Sequence, residues 1–221
     1  MKLNEKQLQQ VKDYLKNKDV EYIDLHFEVV DHIASDIETK MKISKLDFET
    51  TFEKVKEKWK KQLSLKSSFW IGSQNYKSRI LIDKCIKIYR PLVLKSVITA
   101  TIVLAFIYGM MKFLDINIIN FWAIYKLIVL ITFLYFTSSL LFWRYKIKKM
   151  KFKTSYSFLF QKQVFVNIYF SLFIIGQLFS SDAESFDFFE VIVLASIVLI
   201  NILGKIIYDK HIETIKKYHL L

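Results

Sequence analysis

The sequence predicts an all-α protein in two parts: an N-terminal cytoplasmic three-helix domain and a polytopic four-helix transmembrane bundle. Three observations predict it. Composition changes at Pro91, with charged, helix-patterned sequence before it and long apolar stretches after it. The stretches, about residues 92–114, 121–143, 158–179 and 186–208, each reach the roughly 20 residues needed to cross a hydrocarbon core about 30 Å thick. The connecting loops alternate in charge.

The loop after the second stretch holds Arg144, Lys146, Lys148, Lys149, Lys151 and Lys153 without an acid, and the tail at 209–221 adds Lys210, Lys216 and Lys217. Lys77, Arg79, Lys84, Lys87 and Arg90 precede the first stretch. The other two loops are poor in bases: Lys112 stands against Asp115 in one, and Asp182, Glu184 and Asp187 occupy the other. The positive-inside rule reads this alternation as four spans with both termini in the cytoplasm. A net charge of +12 fits nucleic acid or a membrane by magnitude alone. Its placement around the spans selects anionic lipid, so the lipid bilayer is the expected partner and nucleic acid is not. Residues 1–10 lack an apolar run, which makes the first span the expected targeting signal. The single cysteine, Cys85, falls on the cytoplasmic side and suits a reducing compartment.

Residues 1–66 read as the cytoplasmic helical domain. A first helix over 4–18 has Asn4 as cap, Gln7 at the capping-box position and a stripe of Leu8, Val11 and Leu15. A second, over about 20–43, repeats Ile23, Phe27, Val30, Ala34, Ile37 and Met41 at helical spacing, which defines a buried seam. A third, over 44–63, starts at Ser44 with Asp47 as its capping pair and buries Phe48, Phe52, Val55, Trp59 and Leu63. Residues 67–90 form the linker. Ser67, Ser68, Gly72, Ser73 and Asn75 mark a loop, and the segment around Leu81, Cys85 and Ile88 reads either as an amphipathic helix on the membrane surface or as a cytoplasmic extension of the first span. Pro91 suits the first turn of a helix.

The run Phe27-Glu28-Val29-Val30-Asp31-His32-Ile33-Ala34-Ser35-Asp36-Ile37-Glu38 resembles the Asp-His-Leu/Ile helix of the HAAS and permease-prefix domains, in which a second amphipathic helix follows a short turn. The resemblance covers about residues 4–63. It implies a cytoplasmic helical prefix on bacterial membrane segments, linked to signalling or to control of a membrane complex. Localisation in the bacterial inner membrane, multi-pass, follows from it together with the charge pattern.

Candidate sites follow from residue type and spacing. Glu28, Asp31, His32, Ser35 and Asp36 line one side of the second helix and are the expected partner-binding face. Glu28, His32 and Asp36 can converge on one point, but a metal site there needs a further histidine or cysteine, so no metal is expected. Asn167, Gln177 and Asn201 are the polar groups deepest in the spans, read as interhelical hydrogen-bonding groups or as the lining of a path. Thr101, Ala105 and Gly109 form a small-residue stripe that allows close helix packing within the bundle or between two copies, so a homo-oligomer is open.

Catalytic motifs are absent, and neither an enzyme activity nor a cofactor is expected. Few intramembrane acids and few Pro or Gly breaks speak against proton-coupled transport and discontinuous transporter helices. The expected function is a regulatory or adaptor protein whose cytoplasmic domain binds a protein partner. The alternative is a subunit of a transporter, channel or secretion complex.

Overall fold

The computed structural model describes residues 2–113, 122–180 and 188–218. Most of them are helical, in the order α1 (Glu5–Asn17), α2 (Ile23–Ser44), α3 (Phe48–Leu63), β1 (Leu65–Ser68), β2 (Gly72–Ser78), α4 (Arg79–Phe113), α5 (Trp122–Lys149), α6 (Ser155–Ser180) and α7 (Phe188–Lys217). The chain divides into two compact units. The first takes residues up to Ile88 together with Lys151–Phe158 and the segment from His211; the second takes Tyr89–Met150 and Leu159–Lys210.

In the first unit, α1 starts as its sequence dictates. The Asn4 side chain accepts from the Gln7 N–H at 2.9 Å and the Gln7 side chain accepts from the Asn4 N–H at 3.0 Å. This reciprocal pair satisfies two of the donors that every helix start leaves open. Val11 and Leu15 are fully buried. The seam of α2 is broader than a single spacing series: Leu25, Val29, Val30, Ile33 and Ile37 are buried, whereas Phe27 is 48% exposed. Phe27 instead stacks on Tyr218 with ring centroids 5.2 Å apart. The cap of α3 is Asp47, whose carboxylate accepts from the Thr50 N–H at 3.2 Å, and not Ser44. Ser44 ends α2, with its hydroxyl donating to the Lys40 carbonyl at 2.6 Å, and Lys45 takes the left-handed conformation (φ 52°) that closes that helix.

The expected loop after α3 is an antiparallel hairpin. β1 pairs with β2, with an irregularity between Lys66 and Ser68. Lys66 and Lys77 lie opposite each other, a repulsive placement that separate acids relieve: Lys66 pairs with Asp83 at 2.5 Å and Lys77 with Asp19 at 2.9 Å. Ile71 at the turn is buried, and Gly72 follows it at φ +97°, a conformation that costs glycine least. Helix α4 begins directly after β2 and is continuous through Pro91. The segment around Leu81 and Cys85 is therefore the start of α4, not a separate surface helix, and Pro91 sits inside the helix, not in its first turn. The ring removes one backbone donor there. Leu81, Ile82 and Cys85 are fully buried.

In the second unit, α4 and α6 are joined by Tyr89, whose hydroxyl donates to the Gln163 side-chain oxygen at 3.1 Å. Trp143 of α5 stacks on Tyr208 of α7. Gly204 of α7 marks the closest approach: a Cβ built there would lie 2.5 Å from Leu140 Cδ2, with Phe160 and Trp143 just beyond. Gly204→Ala needs only a rotamer change in Leu140. Gly204→Val presses on all three side chains and should cost about 1–3 kcal/mol, read as a fall in thermal midpoint in detergent that the alanine variant largely escapes.

The expected packing stripe of Thr101, Ala105 and Gly109 lies exposed, and a Cβ at Gly109 would meet nothing within 4 Å. Ile98, Ile102 and Phe106 on the same helix are exposed as well. Among the described residues, one helix, Lys126–Lys149, is long and apolar enough to cross a membrane, with mean hydropathy 1.8 and only 17% of its apolar window buried.

Candidate functional site

The first unit holds a buried polar cluster where four distant pieces of chain meet. It starts from an unfinished helix. Tyr22 precedes α2 and supplies no side-chain cap, so the first N–H groups of the helix need other acceptors. The Ile23 N–H finds the Lys153 carbonyl at 2.9 Å. The next residue, Asp24, returns the bond: its Oδ1 accepts from the Ser155 N–H at 2.8 Å, and its Oδ2 accepts from the Ser155 hydroxyl. Ser155 is the first residue of α6, so the carboxylate lies where the partial positive charge of that helix is concentrated.

Helix α6 is itself well capped. The Ser157 N–H donates to Thr154 Oγ1 at 3.2 Å and the Thr154 N–H donates to Ser157 Oγ at 3.0 Å, a capping box with serine in the place of the usual glutamate. Thr154 Oγ1 also lies 2.8 Å from His211 Nδ1 on α7. His211 Nε2 is buried without a hydrogen-bond partner among the described residues. From α4, the Lys84 ammonium reaches the Asp24 carboxylate at 3.2 Å, the Asp24 carbonyl at 3.1 Å and the Glu28 carboxylate at 3.0 Å. Cys85 Sγ lies 3.8 Å from the Ser155 carbonyl.

Burial and charge set the protonation states. Burial pulls the Lys84 ammonium down, but the charges of Asp24 and Glu28 outweigh it and the pKa is raised, so the lysine stays charged. Burial pushes the Cys85 thiol up to about 12, with the Asp24 charge adding to it against the opposing charge of Lys84. A thiol so placed is not a nucleophile at neutral pH. Burial lowers His211 to about 4, against a smaller upward pull from Asp24, and the imidazole is neutral. Burial also raises the Tyr22 hydroxyl. Thr154, Ser155 and His211 are completely buried. The chemistry available to this cluster is therefore cohesion: one carboxylate, one ammonium and one helix start hold α2, α4, the α5–α6 connection and α7 together.

The residues singled out from sequence lie elsewhere. Asp31, His32 and Ser35 are exposed on α2. Glu28 is exposed but held by Lys84, and Asp36 accepts from Lys58 Nζ at 2.7 Å and from Trp59 Nε1 at 2.9 Å, fastening α3 to α2. Desolvation would raise the Asp36 pKa, but these two bonds overcome it and hold the carboxyl below its usual range. Among the described residues, no three His, Cys, Asp or Glu side chains gather closely enough to hold a metal ion. In the second unit, the Asn201 amide donates to the Phe136 carbonyl at 2.9 Å, an interhelical bond. Asn167 and Gln177 belong to α6, and their side chains fall outside the described residues. Asp24, Lys84, Thr154, Ser155 and His211 were not among the sequence candidates. The one local signal was the Thr-Ser-Tyr-Ser run at 154–157, a helix-start pattern.

Searches against protein-family models, curated proteins and solved structures return no match.

Proposed function

We propose that the chain is a regulatory or adaptor protein of the bacterial inner membrane, in which four spans anchor a cytoplasmic helical unit that binds a protein partner. The observation that carries this reading is the make-up of the first unit. Residues up to 88, residues 151–158 and the segment from 211 belong to it together. These are the segments that the charge alternation assigns to one side of a bilayer, and they gather by packing and hydrogen bonding, which the charge rule does not consult. The apolar, exposed surface of α5 supports the membrane half of the reading. The resemblance of residues 4–63 to permease-prefix domains supports the regulatory half.

The partner face in this reading is the part of α2 that the fold leaves uncommitted. Glu28 and Asp36 are engaged internally, and Asp31, His32 and Ser35 present charge and hydrogen-bonding capacity to solvent.

The test is a comparison of the full chain, purified in mild detergent, with a variant carrying Asp31→Ala, His32→Ala and Ser35→Ala. A partner held by this face should fall at least ~10-fold in recovery while the thermal midpoint stays put. Equal recovery of every co-purifying protein from the variant removes α2 from the interface.

A further inference from the structure

We propose that a groove between α4 and α7 holds one acyl chain of an anionic phospholipid from the cytoplasmic leaflet. The groove has a volume of about 270 Å³. That is just below the roughly 300–1,000 Å³ of small-molecule pockets, room for a single chain and not for a whole lipid. Val93 and Val97 form one wall; Leu199, Ile200 and Leu203 form the other. Ser96 and Ser196 line it as well, and both are small. The Ser96 hydroxyl is satisfied by the Leu92 carbonyl at 2.8 Å, so this part of the wall makes no polar demand on an occupant.

The position and the charge name the occupant. From Tyr89 to Val97 the helix rises about 12 Å, less than the half-thickness of a hydrocarbon core. Tyr89 stands just before the first predicted span and Val93–Val97 open it, while Ser196–Leu203 run from the middle of the last span toward its cytoplasmic end, so in the four-span reading the groove lies at the depth of the cytoplasmic leaflet. Arg90 follows Tyr89 at that end and is exposed. A basic end on an apolar slot matches a phosphate headgroup above its own acyl chain. An uncharged occupant would gain nothing from that cation.

This inference rests on the membrane-spanning reading, and the experiment separates the two. Carbonate-washed membranes are assayed first for the full chain. Recovery in the soluble fraction defeats the membrane reading and the lipid site with it. Protein from the membrane fraction is then exposed in mild detergent to added phosphatidylglycerol and examined by native mass spectrometry. The expected result is one retained phosphatidylglycerol per chain, cut at least ~10-fold by Ser96→Phe, which fills the slot, and unchanged by Ser96→Ala. Arg90→Gln should weaken phosphatidylglycerol while leaving a zwitterionic lipid unaffected. Lipid retention equal in the Ser96→Phe variant overturns the assignment. So does a wild-type dimer that Ser96→Phe converts to monomer without a change in bound lipid, since the groove would then belong to a second copy.

Discussion

Asp24→Ala should be the most damaging single substitution in the first unit, costing about 3 kcal/mol. Removing one partner of a buried ion pair typically costs roughly 3–5 kcal/mol, because the other charge stays behind uncompensated. The lower end applies here, since the Lys84 side chain keeps 25% of its exposure and a second partner in Glu28. The change also strips the Ser155 N–H of its acceptor at the start of α6, where the donor has no replacement within the helix. Asp24→Asn retains an acceptor for that N–H but loses the charge and replaces with a donor the oxygen that serves the Ser155 hydroxyl and Lys84, so it should fall between wild type and alanine. Hydrogen exchange of the Ser155 and Ile23 amides, followed beside the thermal midpoint, reads both effects. A loss below about 1 kcal/mol, the scale of an exposed pair, would mean that the carboxylate is dispensable and that the cluster is held by its apolar surroundings. Adding Lys84→Met to the alanine variant should recover part of the loss, because it removes the stranded charge.

Acid should weaken the same unit through His211. Its folded pKa, about 4, lies below the ordinary value of 6.5. Below about pH 6.5 the unfolded chain takes up a proton that the folded chain refuses. The stability contributed by the neutral imidazole is therefore complete above that pH, declines as the pH falls and is lost near pH 4, up to about 3 kcal/mol in all. The imidazolium would need an acceptor at Nε2 as well as at Nδ1, and Nε2 has none among the described residues. His211→Gln keeps a polar group for Thr154 and removes the titration. Its melting temperature should vary less between pH 7 and pH 5 than that of the wild type. Identical pH dependence in the two proteins would assign acid sensitivity to other groups.

What the sequence discloses and what it withholds divide along the distance between partners. The capping box at Asn4 and Gln7, the stripe of Val11 and Leu15 and the seam of Phe52, Val55 and Trp59 are written in spacings of three and four residues, and they lie in helices of the first unit. The polar cluster depends on a separation of 131 residues between Asp24 and Ser155, and no local pattern carries that information. Phe27 fits the periodicity of α2, yet its neighbour Tyr218 comes from the far end of the described chain. The hairpin was hidden because β1 has four residues, too few for alternation to stand out, and because its serines, glycine and asparagine are loop-formers by composition. On α2, the acidic face was legible as a face. Which of its members were already committed to Lys84, Lys58 and Trp59 was not.

The interleaving of segments in the first unit also imposes a schedule on synthesis. The first 88 residues leave the ribosome with α2 still lacking acceptors at its start and with Asp24 and Lys84 in water. Thr154 and Ser155 arrive only after α4 and α5 have been made, and His211 only when most of α7 has followed. A nascent chain can assemble the α1–α3 seams early, since these are local. It closes the unit only once His211 has been made and the apolar helices that separate the segments have found their own surroundings. Until then the incomplete unit is exposed to proteases and chaperones, and a chain whose intervening helices assembled wrongly could not bring residues 151–158 and 211 back to Asp24.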